Sequence, residues 1–185
     1  MKRRPVTLLG FALLGLLQKK PSSGYELRTI FTETPMGSFS DSPGAIYPAL
    51  SRLEERKLLR GKVQRGPGLR RRRVLHLTPA GVNELKAWLT APIEQADVVS
   101  RMGDLMLRFA FLDPAVGSAE ILDFLKSFER ALREYLPQVR QFLADNGYLM
   151  QKSARLALEG GAMDYATKLE WVRRAIAEYK KEGIP

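Results

Sequence analysis

The sequence predicts a mainly α-helical protein interrupted by one β-hairpin and divided into a basic N-terminal half and a neutral C-terminal half. Three observations carry this reading. Apolar residues recur at helical spacing through most of the 185 residues, and between residues 59 and 77 the period changes to alternation on either side of a turn. Charge is unevenly placed: residues 1–92 hold 17 Lys/Arg against 6 Asp/Glu, a net of +11, whereas residues 93–185 hold 13 against 14, a net of −1. A hydrophobic content of 45% is enough for packed cores. We therefore expect two domains, 1–92 and 93–185, of which the first meets a polyanion.

The opening "MKRRPVTLLGFALLGLLQKK" imitates a signal peptide, but its apolar run ends in Gln18, Lys19 and Lys20 without a small-residue cleavage site. It is also short of the ~20 apolar residues that span a bilayer. Leu9, Leu13, Leu16 and Leu17 recur at helical spacing, so residues 6–18 read as a buried first helix of a cytoplasmic protein with no membrane partner. Ser23 and Glu26 have the spacing of a capping box and open a second helix with Leu27, Ile30 and Phe31 inward. It stops near Thr34, because Pro35 disfavours helical geometry in the residue before it.

"SPGAIYPALSRLEERKLL" opens a third helix with Ser42 as N-cap and Pro43 at the first helical position, where a missing N–H costs little. Ile46, Leu50 and Leu53 form its apolar stripe, leaving Gly44, Tyr47, Pro48, Ser51, Arg52 and Glu55 pointing elsewhere. Pro48 predicts an irregular first turn and a half. Leu59, Gly61 and Val63 then alternate with Arg60, Lys62 and Gln64; "RGPGL" reads as a turn; in the return strand Leu75 and Leu77 oppose Val74 and His76. Thr78 and Pro79 repeat the N-cap and proline device, opening a fourth helix with Val82, Leu85, Trp88 and Leu89. Three helices, a two-stranded hairpin and a helix are the layout of a winged helix-turn-helix domain.

From Ala91 onward the pattern is wholly helical. Met102 to Leu112 reads as a short apolar helix. Ile121, Leu125, Phe128, Leu132, Tyr135, Val139 and Phe142 form a seam for a long partner helix, with a kink expected at Pro137. Tyr165, Leu169, Val172, Ile176 and Tyr179 repeat the step. "NGYL" and "GGAM" read as breaks between helices.

Arg70, Arg71, Arg72 and Arg73 stand side by side near the hairpin tip. Four adjacent cations repel one another, so fold stability is not the expected reason for them; an anion is. Arginine's fork binds phosphate oxygens, and its weakly hydrated cation is drawn to a narrow minor groove. Alternation along a strand puts at most two on one face, leaving the others to Glu54, Glu55 or solvent.

"SGYEL", then "SPGAIYPALSRLEERKLL", then "RRRRVLHLTPAG" resemble the PadR family of bacterial transcriptional regulators. The resemblance covers the first 90 residues and continues more weakly through "DLMLRFAFL" and "LEWVRRAIAEY", similar to the all-helical C-terminal domain of one subgroup. It implies a homodimeric repressor whose C-terminal domain supplies most of the dimer contact. It also implies release by a small, aromatic or amphipathic effector. Three departures stand out: Ala45 where threonine is common, Lys57 where glycine commonly closes the third helix, and Val74–Leu75 where an aromatic pair is common.

The expected DNA-contacting residues are Ser42 and Gly44, at a helix start that attracts phosphate, Tyr47 and Arg52 on the third helix, Tyr25 beside the second, and Arg70 to Arg73. The alternatives are local packing for Tyr47, burial for Tyr25 and a pair with Glu55 for Arg52. The partner expected is duplex DNA with a two-fold symmetric operator. Trp88 and Trp171 are candidates for an effector pocket, against a plain core role. His76 is the one histidine and there is no cysteine, so no metal or other cofactor is expected, and no nucleophile elbow or other enzymatic constellation is present. Rival classes are a sequence-neutral DNA-coating protein, a winged-helix adaptor for protein partners and, last, an enzyme.

Overall fold

The computed structural model describes residues 5–40, 42–65, 71–113 and 115–182, and the chain separates into two compact units, Met1–Leu89 and Thr90–Pro185. It is mainly helical, with one small antiparallel sheet.

In the first unit, helix α1 (Leu8–Lys19) is capped by the Thr7 hydroxyl, which accepts from the Gly10 N–H at 3.2 Å. Leu9, Gly10, Ala12, Leu13, Leu14, Gly15 and Leu17 are all buried, so α1 is the central helix that this apolar run predicts. Its Phe11 stacks face to face on Trp88, with ring centroids 4.4 Å apart. Helix α2 (Gly24–Glu33) begins with the expected capping box, Ser23 accepting from the Glu26 N–H and Glu26 accepting from the Ser23 N–H, and ends at Thr34. A 3₁₀ turn (Pro35–Phe39) follows.

Helix α3 (Ile46–Glu55) is entered through a 3₁₀ turn at Pro43–Ala45, the irregular start foreseen from its prolines. Because the α-helical run begins only at Ile46, Pro48 falls in its first turn, where no N–H donor is needed. Ser42 has N-cap backbone geometry, but its side chain makes no cap hydrogen bond. Ile46, Ala49, Leu50 and Leu53 are buried, and Gly44, Tyr47, Pro48, Ser51, Arg52 and Glu55 are all exposed.

The hairpin consists of β2 (Leu59–Arg65) and β3 (Arg71–Leu77), paired antiparallel from Leu59 opposite Leu77 to Arg65 opposite Arg71. The turn expected at residues 65–69 falls largely outside the described residues, as does Arg70. The sheet has a third strand not foreseen: β1 (Ser22–Ser23), hydrogen-bonded to β3 opposite Leu75 and Val74. Val63, expected on the apolar side, is 67% exposed, because the ribbon end extends beyond the core. Helix α4 (Pro79–Leu89) is capped as expected by Thr78, whose hydroxyl accepts from the Gly81 N–H at 3.0 Å and donates to the Lys57 carbonyl at 2.7 Å.

In the second unit, α5 (Gln95–Ser100) has a reciprocal Glu94/Asp97 cap and leads to α6 (Met102–Ala110). The two long helices are α7 (Ser118–Asn146), which runs through Pro137 as one element, and α8 (Lys152–Glu182). Ile121, Leu125, Phe128, Leu132 and Val139 of the predicted seam are buried, as are Leu169, Val172 and Ile176 opposite them. Phe142, at the end of the seam, is 51% exposed. "NGYL" is the break expected, forming a 3₁₀ turn at Gly147–Leu149. "GGAM" is not a break: α8 continues through Gly160 and Gly161. Two glycines cost a helix about 2 kcal/mol against alanine, which packing along α7 on either side of them outweighs.

Candidate nucleic-acid interface

The exposed face of α3 is the centre of the candidate site. Tyr47 is 49% exposed, and its ring edge lies where a Cβ on Gly24 would be, 2.9 Å away, so glycine at the start of α2 lets the tyrosine lie against that helix. Tyr25, next along, is 69% exposed and is not the buried residue of the alternative reading. Ser23, Gly24, Tyr25, Tyr47, Ser51, Glu54 and Arg73 border one groove between the start of α2, α3 and the hairpin. Arg52 is on the opposite margin of the exposed arc, bordering a separate cleft with Val6, Thr7, Gly10, Ala49 and Leu53. No ion pair links it to Glu55 among the described residues.

The arginine run divides into residues with different duties. Arg73 makes a two-pronged pair with Glu54 of α3, Nη1 to Oε2 at 3.0 Å and Nη2 to Oε1 at 2.6 Å. The guanidinium lies directly over Gly61, where an added Cβ would meet it at 2.5 Å. Arg72 leaves the other face of the strand and donates to Glu26 Oε2 at 2.6 Å. That oxygen already accepts from the Ser23 N–H at 2.7 Å and the Ser23 hydroxyl at 2.9 Å. The Ser23 backbone N–H above all, then its hydroxyl and the Arg72 charge, hold the Glu26 carboxyl below its ordinary value against partial burial. Two of the four arginines therefore have carboxylate partners within the fold, Arg73 with Glu54 as the sequence left open and Arg72 with Glu26, which it did not name. The hairpin's self-repulsion is relieved by carboxylates of the two helices beneath it. The Arg71 side chain is exposed and makes no hydrogen bond or ion pair among the described residues.

The Glu54 pair was one of the options the sequence left open. Glu26 was missed, because its access to Arg72 depends on β1 joining the sheet, and a two-residue strand has no periodicity to read. Among the described residues, His76 buries its Nε2 without a hydrogen-bond partner, and no group of three or more His, Cys, Asp or Glu could hold a metal ion. No helix among the described residues is long and apolar enough to cross a membrane.

Chemically, this unit presents a solvent-facing helix of small, aromatic and cationic side chains beside a cationic ribbon. Residues 13–87 match the transcriptional regulator PadR-like family. The matched stretch lies within the N-terminal unit. Over 91 residues the chain is 30% identical to the transcriptional regulator YqjI of Escherichia coli, covering 49% of this chain and 40% of that protein. It thus spans about two fifths of the length of the curated relatives it matches. Among solved structures, the PadR-like regulator BC1756 from Bacillus cereus is similar at 22% identity and a TM-score of 0.43, covering 97% of this chain and 99% of that one. Bacillus subtilis PadR in complex with operator DNA is similar at 23% identity and a TM-score of 0.43, covering 95% and 99%. The same regulator in complex with p-coumaric acid is similar at 20% identity and a TM-score of 0.40, covering 96% and 98%.

The aromatic residues of the second unit form a cluster around Phe109, which meets Trp171 edge to face at 5.2 Å, Tyr179 at 6.2 Å and Phe124 at 6.3 Å. Phe109, Trp171, Arg174, Glu178 and Tyr179 border an open groove of about 360 Å³. Trp88, the other tryptophan, has one ring face taken by Phe11. Arg108 is buried, lies 5.0 Å from the Phe124 ring centroid and donates to the Ala91 carbonyl; burial pulls it down to about 10.

Proposed function

We propose that this chain is a homodimeric, DNA-binding transcriptional repressor released by a small aromatic or amphipathic ligand. The observation that carries the reading is the outer face of α3, where Tyr47, Pro48, Ser51, Arg52 and Glu55 all face solvent, beside a ribbon that carries Arg71, Arg72 and Arg73. A helix left bare on that side, in a unit whose sequence is strongly basic, is complementary to a major groove lined by phosphates. In this reading Tyr47 and Arg52 approach base edges or backbone from the two margins of α3, Ser42 and Gly44 meet phosphate, and Tyr25 touches the backbone beside them. Arg70 and Arg71 contact phosphate, whereas Arg72 and Arg73 reach DNA only by leaving their carboxylates. The boundary between the DNA-binding and the helical domain is placed in this reading near residues 92 and 93, a few residues beyond the division of the compact units at Leu89 and Thr90.

For the second unit, Phe142, Tyr148, Leu149, Leu156 and Met163 support self-association, since all five are large, apolar and exposed near the turn end of the α7–α8 hairpin. Two copies would set their recognition helices about 34 Å apart on a two-fold operator. The groove at Trp171 is within the size range of ligand pockets and supports an aromatic effector there.

The test is fluorescence anisotropy with the duplex upstream of the protein's own coding region against random competitor, over a salt series. If six to ten phosphates are neutralised, the log–log slope is about −5 to −9. Equal affinity for both duplexes points instead to a DNA-coating protein, and no binding at moderate salt to a protein-interaction adaptor. Sedimentation of the wild type and of a Tyr148→Ser/Leu149→Ser variant reads the dimer separately.

A further inference from the structure

Glu54 differs from the other carboxylate that holds a wing arginine. Glu26 has a fold duty, because it closes the α2 capping box whether or not Arg72 is present. The Glu54 carboxylate accepts hydrogen bonds from Arg73 alone among the described residues. It is one turn along α3 from Ser51 and two from Tyr47, within the groove those residues border, and its side chain is 22% exposed against 59% for Arg73. A carboxylate thus occupies the two-pronged position on the guanidinium that a phosphate would take. Gly61 keeps the space open for this pairing, since any side chain there would strike the guanidinium.

We propose that Glu54 is an electrostatic brake on sequence-independent DNA binding: it cancels Arg73 in the free protein, so that this arginine counts toward phosphate only after exchanging one anion for another. The proposal rests on the reading of the first unit as DNA-binding. Its physical basis is counterion release. Non-specific affinity comes almost wholly from cations that shed counterions when they meet phosphate, and an arginine already paired to a carboxylate has little to gain from that exchange. Glu54 is then a positioning residue that acts through Arg73.

The experiment uses the full chain and a random-sequence duplex in a salt series. Freeing Arg73 by Glu54→Gln adds one phosphate contact, which steepens the log–log slope by about 0.9 and raises affinity about eightfold at 0.1 M salt. The double variant Glu54→Gln/Arg73→Ala is expected to lose both gains and match Arg73→Ala. Gly61→Ala displaces the guanidinium without changing charge and is expected to move the slope in the same direction by less. Thermal unfolding checks that each variant is folded. An unchanged or weakened affinity in Glu54→Gln overturns the brake, as does a gain that persists in the double variant, which would report only the removal of a negative charge. Both results leave the DNA-binding reading standing if the wild type binds in a salt-dependent way. If the wild type does not bind duplex at all, both readings fall together.

Discussion

Lys57 is the only described residue other than glycine with positive φ, at 60°, and replacing it should stabilise the protein. It follows the C-cap of α3 in a complete two-bond closure. The Leu58 N–H returns to the Leu53 carbonyl at 2.9 Å and the Lys57 N–H to the Glu54 carbonyl at 2.8 Å, while Leu53 and Leu58 are both buried. The hydrogen bonds require the left-handed conformation, which glycine adopts freely and an L-residue at a cost of roughly 1–2 kcal/mol. Lys57→Gly removes that cost and returns about 0.4–1 kcal/mol through the greater freedom of the unfolded chain. The net gain is about 0.5–1 kcal/mol, or about 2–8 °C for a unit of this size. The Thr78 hydroxyl bonds to the Lys57 backbone carbonyl, so the link to α4 survives the substitution.

The assay follows Trp88 fluorescence during thermal or urea unfolding in a Trp171→Phe background, since Trp88 is stacked within the first unit and then becomes the sole tryptophan. Lys57→Ala is the control, because it removes the same charge but keeps a Cβ in the left-handed region. An equal gain in Lys57→Gly and Lys57→Ala would refute the backbone argument and assign the effect to relief of repulsion in a basic domain.

Three further predictions address charge and helix composition. Gly160→Ala and Gly161→Ala each have nothing within 4 Å of the added methyl and should stabilise α8 by about 0.5–1 kcal/mol; a loss, measured with the dimer equilibrium, would mean that another chain approaches there. Burial holds the Asp104 carboxyl above its ordinary value of 3.8, with the nearby Asp97 charge adding to the effect. Stability is then full below that value and falls as pH rises through the folded value, so Asp104→Asn should raise the melting temperature of the second unit at pH 7 and leave it unchanged near pH 3. Glu26 has the opposite sign. Its stabilisation is present above 4.5 and is lost as pH falls through the depressed folded value, so Glu26→Gln should cost less than about 1 kcal/mol at pH 7, given a carboxylate about a third exposed, and nothing in acid.

The elements that could be read in the sequence were those fixed by a local physical rule. The Ser23/Glu26 box, the Thr78–Pro79 start and the proline-rich entry to α3 each depend on residues within four positions of one another; the first two have the expected form, and the third is irregular as foreseen but lacks a Ser42 cap hydrogen bond. The amphipathic face of α3 was legible for the same reason, as three apolar residues at helical spacing define both the buried stripe and its exposed complement. Features decided by distant partners were not. Strand β1 exists because β3 has a free edge beside it, and α5 is held by a glutamate cap of a type rarely used. Gly160 and Gly161 break helices in isolation, but α7 supplies the packing that local propensity lacks.

The candidate site follows the same division, with a consequence for how charge is counted. Summed along the sequence, the arginine run adds four positive charges to one hairpin and invites the conclusion that all four meet phosphate. In three dimensions, two carboxylates 19 and 46 residues away in sequence neutralise Arg73 and Arg72, and Arg71 is the described member of the run left exposed without a carboxylate partner. A charge count therefore singles out the half of such a chain expected to meet a polyanion, but it overstates the number of cations ready to do so. The distinction has a measurable form. A salt slope unaffected by Arg72→Ala and reduced by about 0.9 in Arg71→Ala would assign the ready charge to Arg71. Equal reductions in both would mean that the carboxylates release their arginines whenever duplex is present.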